Sequence, residues 1–312
     1  MNIQQFQYVL AVVDLKNFEA AAEKCFVTQS TLSTMIRRFE NEIDIKIFNR
    51  KTKPVSITAE GEEIIKRLRI VLNEVDSLKN LMQELKGEMV GDLKIAIIPT
   101  IAPYLLPLFL NDFTDTFPNI KLIVKEMTTS EIQKALKIRS IDIGILALPL
   151  EDQELDEIDL YSEPFLLYDC SGEISNSKIS VNNLDYSKLC LLQEGHCLRT
   201  QVQRICDLSD QCATREVNFE FESGSMDSLF RVTKVRKGMT ILPYLASKDL
   251  PEDMRKKLIE FNAPIPIRKV GLITHKFFVK KKLLVKLKDL IQNSVSSYIP
   301  STGEEHTLLK PL

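Results

Sequence analysis

Glycine and proline are scarce, ten and thirteen among 312 residues, which excludes collagen-like and low-complexity architectures. A charge excess of either sign is missing too. The 41 basic and 43 acidic side chains leave a net charge of −2. That argues against a disordered chain and against a globally basic nucleic-acid coat, although a reader of DNA needs only one positive face. Long apolar runs are absent. The longest uncharged stretch, Ile95 to Asn111, is shorter than a membrane span and is broken by Pro99, Pro103 and Pro107. The start of the chain has no basic leader region. The expectation is a soluble, cytoplasmic protein with no membrane partner, whose six cysteines are mostly reduced. No cysteine pair has C-x-x-C spacing and no four-ligand zinc set is apparent, so neither a metal nor a cofactor is expected. What is present is 44% apolar residues, enough for real cores in about two domains.

The first 58 residues read as a helix-rich domain. Phe6, Val9, Leu10 and Val13 recur at helical spacing, and residues 18–23 are strongly helix-forming. After a break at Phe26-Val27, Thr28 can cap a third helix. That helix turns Leu32, Ile36 and Phe39 inward and leaves Gln29, Ser30, Thr31, Ser33, Thr34, Arg37 and Arg38 outside. Two alternating segments, 45–50 and 55–58, flank a basic turn holding Arg50, Lys51 and Lys53. An alanine-rich helix, a tight turn, a polar helix and a basic hairpin make a winged helix-turn-helix pattern. Small alanines allow close crossing, Gln29 offers an amide suited to adenine, and the basic groups reach phosphates. Charge alone does not decide it, since residues 1–60 hold 8 basic and 7 acidic groups; the order of elements does.

Residues 59–90 read as a long linker helix and its exit. Ile64, Ile65, Leu68, Val71, Leu72, Val75, Leu78, Met82 and Leu85 form a heptad seam. Such a stripe packs on its own domain or on a second copy. Dimerisation is preferred, because a two-fold reader suits a two-fold DNA site. From 91 to 300 strands and helices alternate, which predicts an α/β regulatory domain with a largely parallel sheet and polar strand ends, Thr100 above all, lining a cleft. Residues 301–312 read as a polar, frayed tail.

The sharpest chemical feature is Gly195-His196-Cys197-Leu198-Arg199 followed by Cys206. A thiol-based sensor needs a stabilised thiolate, donors that hold the oxidant and a second thiol. Arg199 lies two residues from Cys197, where a cation would lower the thiol pKa. Cys25, Cys170, Cys190 and Cys212 read as inert, since a free cysteine is most often a small buried hydrophobe.

The stretch from Phe6 to Leu85, with its Ala20-Ala21-Ala22, 28–33 and Thr58-Ala59-Glu60-Gly61 blocks, resembles the LysR-type transcriptional regulators. Two departures are small. Ser30 stands where the family often has proline, and Asp44 where many members have glycine, a position that aspartate tolerates well. The resemblance implies a regulatory domain of two α/β subdomains, like that of periplasmic binding proteins. The paired-cysteine block, with Ile98-Pro99-Thr100 and Pro103-Tyr104-Leu105-Leu106-Pro107, is similar to the peroxide-responsive members. It implies a non-enzymatic activator of antioxidant genes in which Cys197 is peroxidatic and Cys206 resolving. It also implies that Thr100, Thr129 and His196 place the peroxide, with Thr128 as an alternative to Thr129, and that Arg268 pairs with the thiolate. The implied partners are promoter DNA, RNA polymerase, hydrogen peroxide as signal, glutaredoxin or thioredoxin as reductant, and further copies in a homodimer or homotetramer. The competing readings are a metabolite-responsive regulator with incidental cysteines and a thiol peroxidase, in whose turnover a winged helix has no role.

Overall fold

A computed structural model describes residues 1–174, 177–193, 195–207, 224–300 and 305–311, without the side chains of residues 206 and 207. Cys212 lies outside the described residues. Two compact units make up the chain: residues 1–85 with 138–140, and residues 86–137 with 141–312.

In the first unit, α1 (Ile3–Leu15) starts at a reciprocal cap in which Asn2 and Gln5 each bond the other's backbone N–H. Asn17 caps α2 (Phe18–Lys24), and Thr28 Oγ1 accepts from Thr31 N–H at 3.2 Å to start α3 (Gln29–Glu42). Ala21 and Ala22 are buried between the helices, so the alanine run does allow the close crossing. Leu32, Ile36 and Phe39 enter the core beside Val9 and Val12. Asp44 takes the left-handed φ of 52° that its position demands. The wing strands are shorter than the alternation suggests, β1 (Phe48–Asn49) and β2 (Ser56–Ile57), paired antiparallel. Glu40 sits beneath them fully buried, its Oε1 accepting from the N–H groups of Ile47 and Phe48 at 2.9 and 3.2 Å.

The helix α4 (Ala59–Leu85) divides its apolar seam. Ile65 and Leu68 are buried in the core of their own unit, so self-packing holds for the first turns. Val71, Leu78, Met82 and Leu85 are exposed.

The second unit is built on a sheet that is mixed, not largely parallel as the alternation suggests. β3 (Gly91–Ile97), α5 (Ala102–Thr116), β4 (Ile120–Glu126), α6 (Thr129–Lys137) and β5 (Ile143–Leu148) follow the crossover rule, and β3 pairs in parallel with β4 and β5. The parallel pattern then stops. β6 (Leu155–Asp169) enters without a crossover helix. It is followed by β7 (Lys178–Ile179), α7 (Cys197–Asp207), α8 (Met226–Arg236), β8 (Met239–Pro243), α9 (Glu252–Arg255), β9 (Leu258–Phe261), β10 (Ile265–His275), α10 (Lys281–Ser296) and β11 (His306–Leu308). β10 runs antiparallel to both β5 and β6, and the far half of β6 runs antiparallel to β8 and β9.

Two cores result, one around Phe109, Phe113, Leu287 and Ile291 and another around Phe165, Leu167, Ile241 and Phe261, with β6 contributing to both. These are the two expected subdomains. The tail departs from expectation: it is not frayed throughout, because residues 306–308 pair with β10 and Leu309 is buried in the second core.

Phe26, in the turn before α3, combines a φ of 55° with 95% exposure. A bulky side chain there is strained and buries nothing in return. Phe26→Asn is expected to stabilise the chain by about 1 kcal/mol, read as a later unfolding midpoint in urea. An earlier midpoint would show that Phe26 contributes packing.

Candidate functional site

The end of β3, the start of α6 and the interior of β10 meet at the Cys197 thiol on the start of α7, with β6 behind β10's contribution. β3 ends at Ile97, and a tight turn, Ile101 and Ala102 N–H to Ile98 carbonyl, leads into α5 and leaves Thr100 facing inward, 2% exposed. Thr129 opens α6 and is equally buried. The neighbouring Thr128 is occupied otherwise. Its N–H and its hydroxyl both donate to Glu131 at 2.8 Å, which makes it the start-of-helix partner and leaves Thr129 to face the thiol. Arg268 comes from β10 and Glu163 from β6, 1% and 0% exposed. Cys197 begins α7, so the positive end of that helix faces its sulfur.

The guanidinium is held tightly. Arg268 Nε donates to Glu163 Oε1 at 2.8 Å, and its Nη2 lies 2.8 Å from the same oxygen. The other carboxylate oxygen accepts from Leu245 N–H at 2.7 Å. Arg268 then reaches Thr100, donating to its carbonyl at 3.2 Å and to its hydroxyl at 3.4 Å. Arg268 thus stands between a buried carboxylate and the thiol pocket.

Opposed forces act on the thiol. Burial pushes its pKa up, while Arg268, the hydroxyls of Thr129 and Thr100 and the Leu198 N–H pull it down. Burial is the larger effect, so the resting group is a thiol stabilised for ionisation rather than a standing thiolate. Burial also lowers the pKa of His196, which is a neutral imidazole at pH 7. The cation that sequence proximity assigned to Arg199 belongs elsewhere: Arg199 Nη1 donates to the Leu192 carbonyl at 2.9 Å, and Arg268 is the charge that acts on Cys197. Apart from its action on the thiol, Thr129 Oγ1 is buried without a hydrogen-bond partner, an opening for a small oxygen-bearing guest.

Cys206 lies on the last turn of α7. Cys25, Cys170 and Cys190 are half-buried free thiols. Beside the thiol pocket a wider cavity of about 870 Å³ is lined by Pro99, Tyr104, Met226, Phe230, Asp249 and Leu250, among others. Among the described residues no cluster of three metal-ligating side chains occurs, and no helix is long and apolar enough to cross a membrane.

On the first unit, Gln29, Ser30, Thr31, Thr34, Arg37 and Arg38 are exposed on α3, and Lys51 and Lys53 are exposed on the wing. The hydroxyls of Ser30 and Thr31 cluster on Thr28 Oγ1 at 3.0 and 2.8 Å. Arg50 and Ser33, two further expected DNA contacts, are also engaged internally. Arg50 pairs with Glu40 at 3.1 Å, donates to Ser33 Oγ at 2.8 Å and stacks on the Phe18 ring.

Sequence reasoning missed Glu163 and the Leu245 N–H. Glu163 was signalled only by being a lone acid ahead of the apolar run Phe165–Tyr168.

The chain is similar to known bacterial transcriptional regulators. Residues 86–295 match the LysR substrate binding domain, and residues 3–62 match the bacterial regulatory helix-turn-helix protein, lysR family. The chain is 32% identical over 277 residues to the hydrogen peroxide-inducible genes activator of Haemophilus influenzae, covering 88% of this chain and 90% of that one. Full-length OxyR from Pseudomonas aeruginosa superposes with a TM-score of 0.73 at 27% identity, covering 94% of this chain and 98% of that one. OxyR from Porphyromonas gingivalis gives 0.64 at 30% identity, covering 70% of this chain and all of the other.

If Arg268 sets the reactivity of Cys197, removing the pair together moves the thiol without leaving a lone buried charge. In Arg268→Met, Glu163→Gln the rate–pH profile of Cys197 alkylation is expected to shift to higher pH, slowing the reaction at pH 7 by about tenfold. An unmoved profile would show that the pair does not act on the thiol.

Proposed function

We propose that this chain, which belongs to the LysR family of bacterial helix-turn-helix regulators, senses hydrogen peroxide through Cys197 and transmits the signal to promoter DNA. The observation that carries this reading is the buried thiol facing Arg268 and two threonine hydroxyls, one of them unpartnered. The names of several relatives point the same way, hydrogen peroxide-inducible genes activator.

The chemistry runs in two steps. Arg268 and the α7 N-terminus favour ionisation of Cys197, while Thr100, Thr129 and His196 hold the peroxide. The thiolate attacks one peroxide oxygen, the O–O bond breaks, and the departing hydroxide takes up a proton to leave as water. Cys197 is then a sulfenic acid. The Cys206 sulfur next attacks the Cys197 sulfur, the S–O bond breaks, and the hydroxyl leaves with the Cys206 proton as water, closing a disulfide. Nine residues along an α-helix separate Cα atoms by about 13 Å, whereas a disulfide needs them within about 7 Å. Closure therefore requires α7 to unwind, and that refolding is the event that alters the regulatory domain. A cytosolic dithiol of the glutaredoxin or thioredoxin kind resets it.

The exposed residues of α3 read the major groove, and Lys51 and Lys53 of the wing hold phosphates. The exposed apolar stripe of α4 from Val71 to Leu85 supplies a dimer contact. Dimers pair into a tetramer that engages RNA polymerase. The 870 Å³ cavity supports a second reading, a metabolite-responsive regulator with incidental cysteines.

The deciding experiment is peptide mass spectrometry under non-reducing conditions, before and after a stoichiometric peroxide pulse. A Cys197–Cys206 disulfide that forms with the pulse and reopens with dithiothreitol is expected. Free thiols at both positions after the pulse would favour the metabolite reading. For the DNA-reading surface, Arg38→Ala is expected to weaken binding evenly across sequences and to lower the salt slope by about 1. Gln29→Ala is expected to relax base preference. Binding titrations at several salt concentrations separate the two, and an unchanged slope for Arg38→Ala removes it from the phosphate contacts.

A further inference from the structure

The end of the chain returns to the sensing helix. β11 adds to β10 in parallel, with Ile265 N–H to Glu305 carbonyl and Leu309 N–H to Ile267 carbonyl, both at 2.9 Å. Ile267 pairs with Pro164 of β6 on one side and with Leu308 on the other. The tail therefore continues the edge along which β5 pairs from Lys269 onward.

Just past the strand, Leu309 is buried in the same core as Leu198, Val202 and Ile205, the inward face of α7. Its carbonyl accepts from Gln201 Nε2 at 2.9 Å. Gln201 is wholly buried in the middle of α7, and its Oε1 has no partner. The tail carbonyl is thus the bond that makes a buried amide tolerable there. Beyond it, Lys310 pairs with Glu151 at 2.6 Å and Pro311 is buried. The tail and the helical form of α7 stabilise one another. With the tail gone, the Gln201 amide is an orphan and one wall of the α7 core is missing; with α7 unwound, Leu309 loses its seat.

We infer that residues 305–311 are an intramolecular latch that holds α7 helical and so slows closure of the Cys197–Cys206 disulfide, without altering the reaction of Cys197 with peroxide. This rests on the switch proposed above. The latch acts only on the second step, in which the Cys206 sulfur displaces hydroxide from the Cys197 sulfenic acid and water leaves.

Rapid quenching after a peroxide pulse separates the two steps. Sulfenic acid formation is followed by dimedone trapping in a Cys206→Ser background, and disulfide closure by mass spectrometry with Cys206 present. Truncation after Gly303 is expected to leave sulfenic acid formation within about twofold and to speed closure by about thirtyfold or more, the low end of the scale of one buried leucine and one hydrogen bond. Gln201→Leu in the full-length chain, which keeps the tail and the core volume, is expected to give a smaller acceleration in the same step. It carries the test if the truncated chain does not fold. Unchanged or slower closure in the folded variants overturns the latch, as does an equal change in both steps. A full-length chain that forms the sulfenic acid but never the disulfide overturns the switch itself, a separate result.

Discussion

A buried guanidinium without a counter-charge is among the least tolerable features a protein interior can hold. Arg268 is kept there by Glu163, and Glu163 by the backbone N–H of Leu245. The three groups come from β10, from β6 and from the turn after β8, so the pair survives only if those strands keep their register. β6 and β10 are also the two longest strands among the described residues, and β6 contributes to both apolar cores. The ion pair therefore ties the junction of the subdomains to the site where the thiol sits. Mutating either charge alone would disturb the chemistry and the register together.

The thiol itself is governed by a contest. Burial raises its pKa and keeps it protonated and shielded, whereas Arg268, two hydroxyls and the helix N-terminus reward ionisation. A fully exposed low-pKa thiolate would react with many oxidants and electrophiles. A buried one, poised by fixed donors, reacts with molecules small enough to enter and able to use those donors. Cys197 also starts the helix whose far end carries Cys206, so in the proposed switch oxidation and local folding are linked by geometry. The tail adds a further restraint on that helix through Gln201 and Leu309.

Much of the fold was legible because its signals are local. Thr28, Ala21-Ala22 and the spacing of Leu32, Ile36 and Phe39 dictate a helix-turn-helix without help from distant residues. The crossover half of the regulatory domain shows the same clarity in its apolar strands. The antiparallel half does not, since the first part of β6 mixes Asp156, Glu157 and Asp159 with isolated apolar residues and shows no strand period. The tail was misread because its composition is polar up to Thr307, while its anchoring depends on Leu309 and on a partner 108 positions away. The pocket was legible in outline, with Thr100, Thr129, Cys197 and Arg268 brought together. Arg199 was misplaced because sequence proximity says nothing of direction: one turn into a helix, its side chain reaches back to Leu192. Glu163 left almost no trace, since a carboxylate that positions another side chain looks in sequence like any strand-edge acid.

The proposed switch requires α7 to be helical before oxidation and unwound after it. Hydrogen exchange of the α7 amides, read by mass spectrometry on the reduced chain and on the chain after a peroxide pulse, measures that directly. The prediction is slow exchange from Thr200 to Ile205 in the reduced form and loss of that protection once the disulfide has closed, with α5 and α10 unchanged. A Cys197–Cys206 disulfide formed with α7 still protected would contradict it.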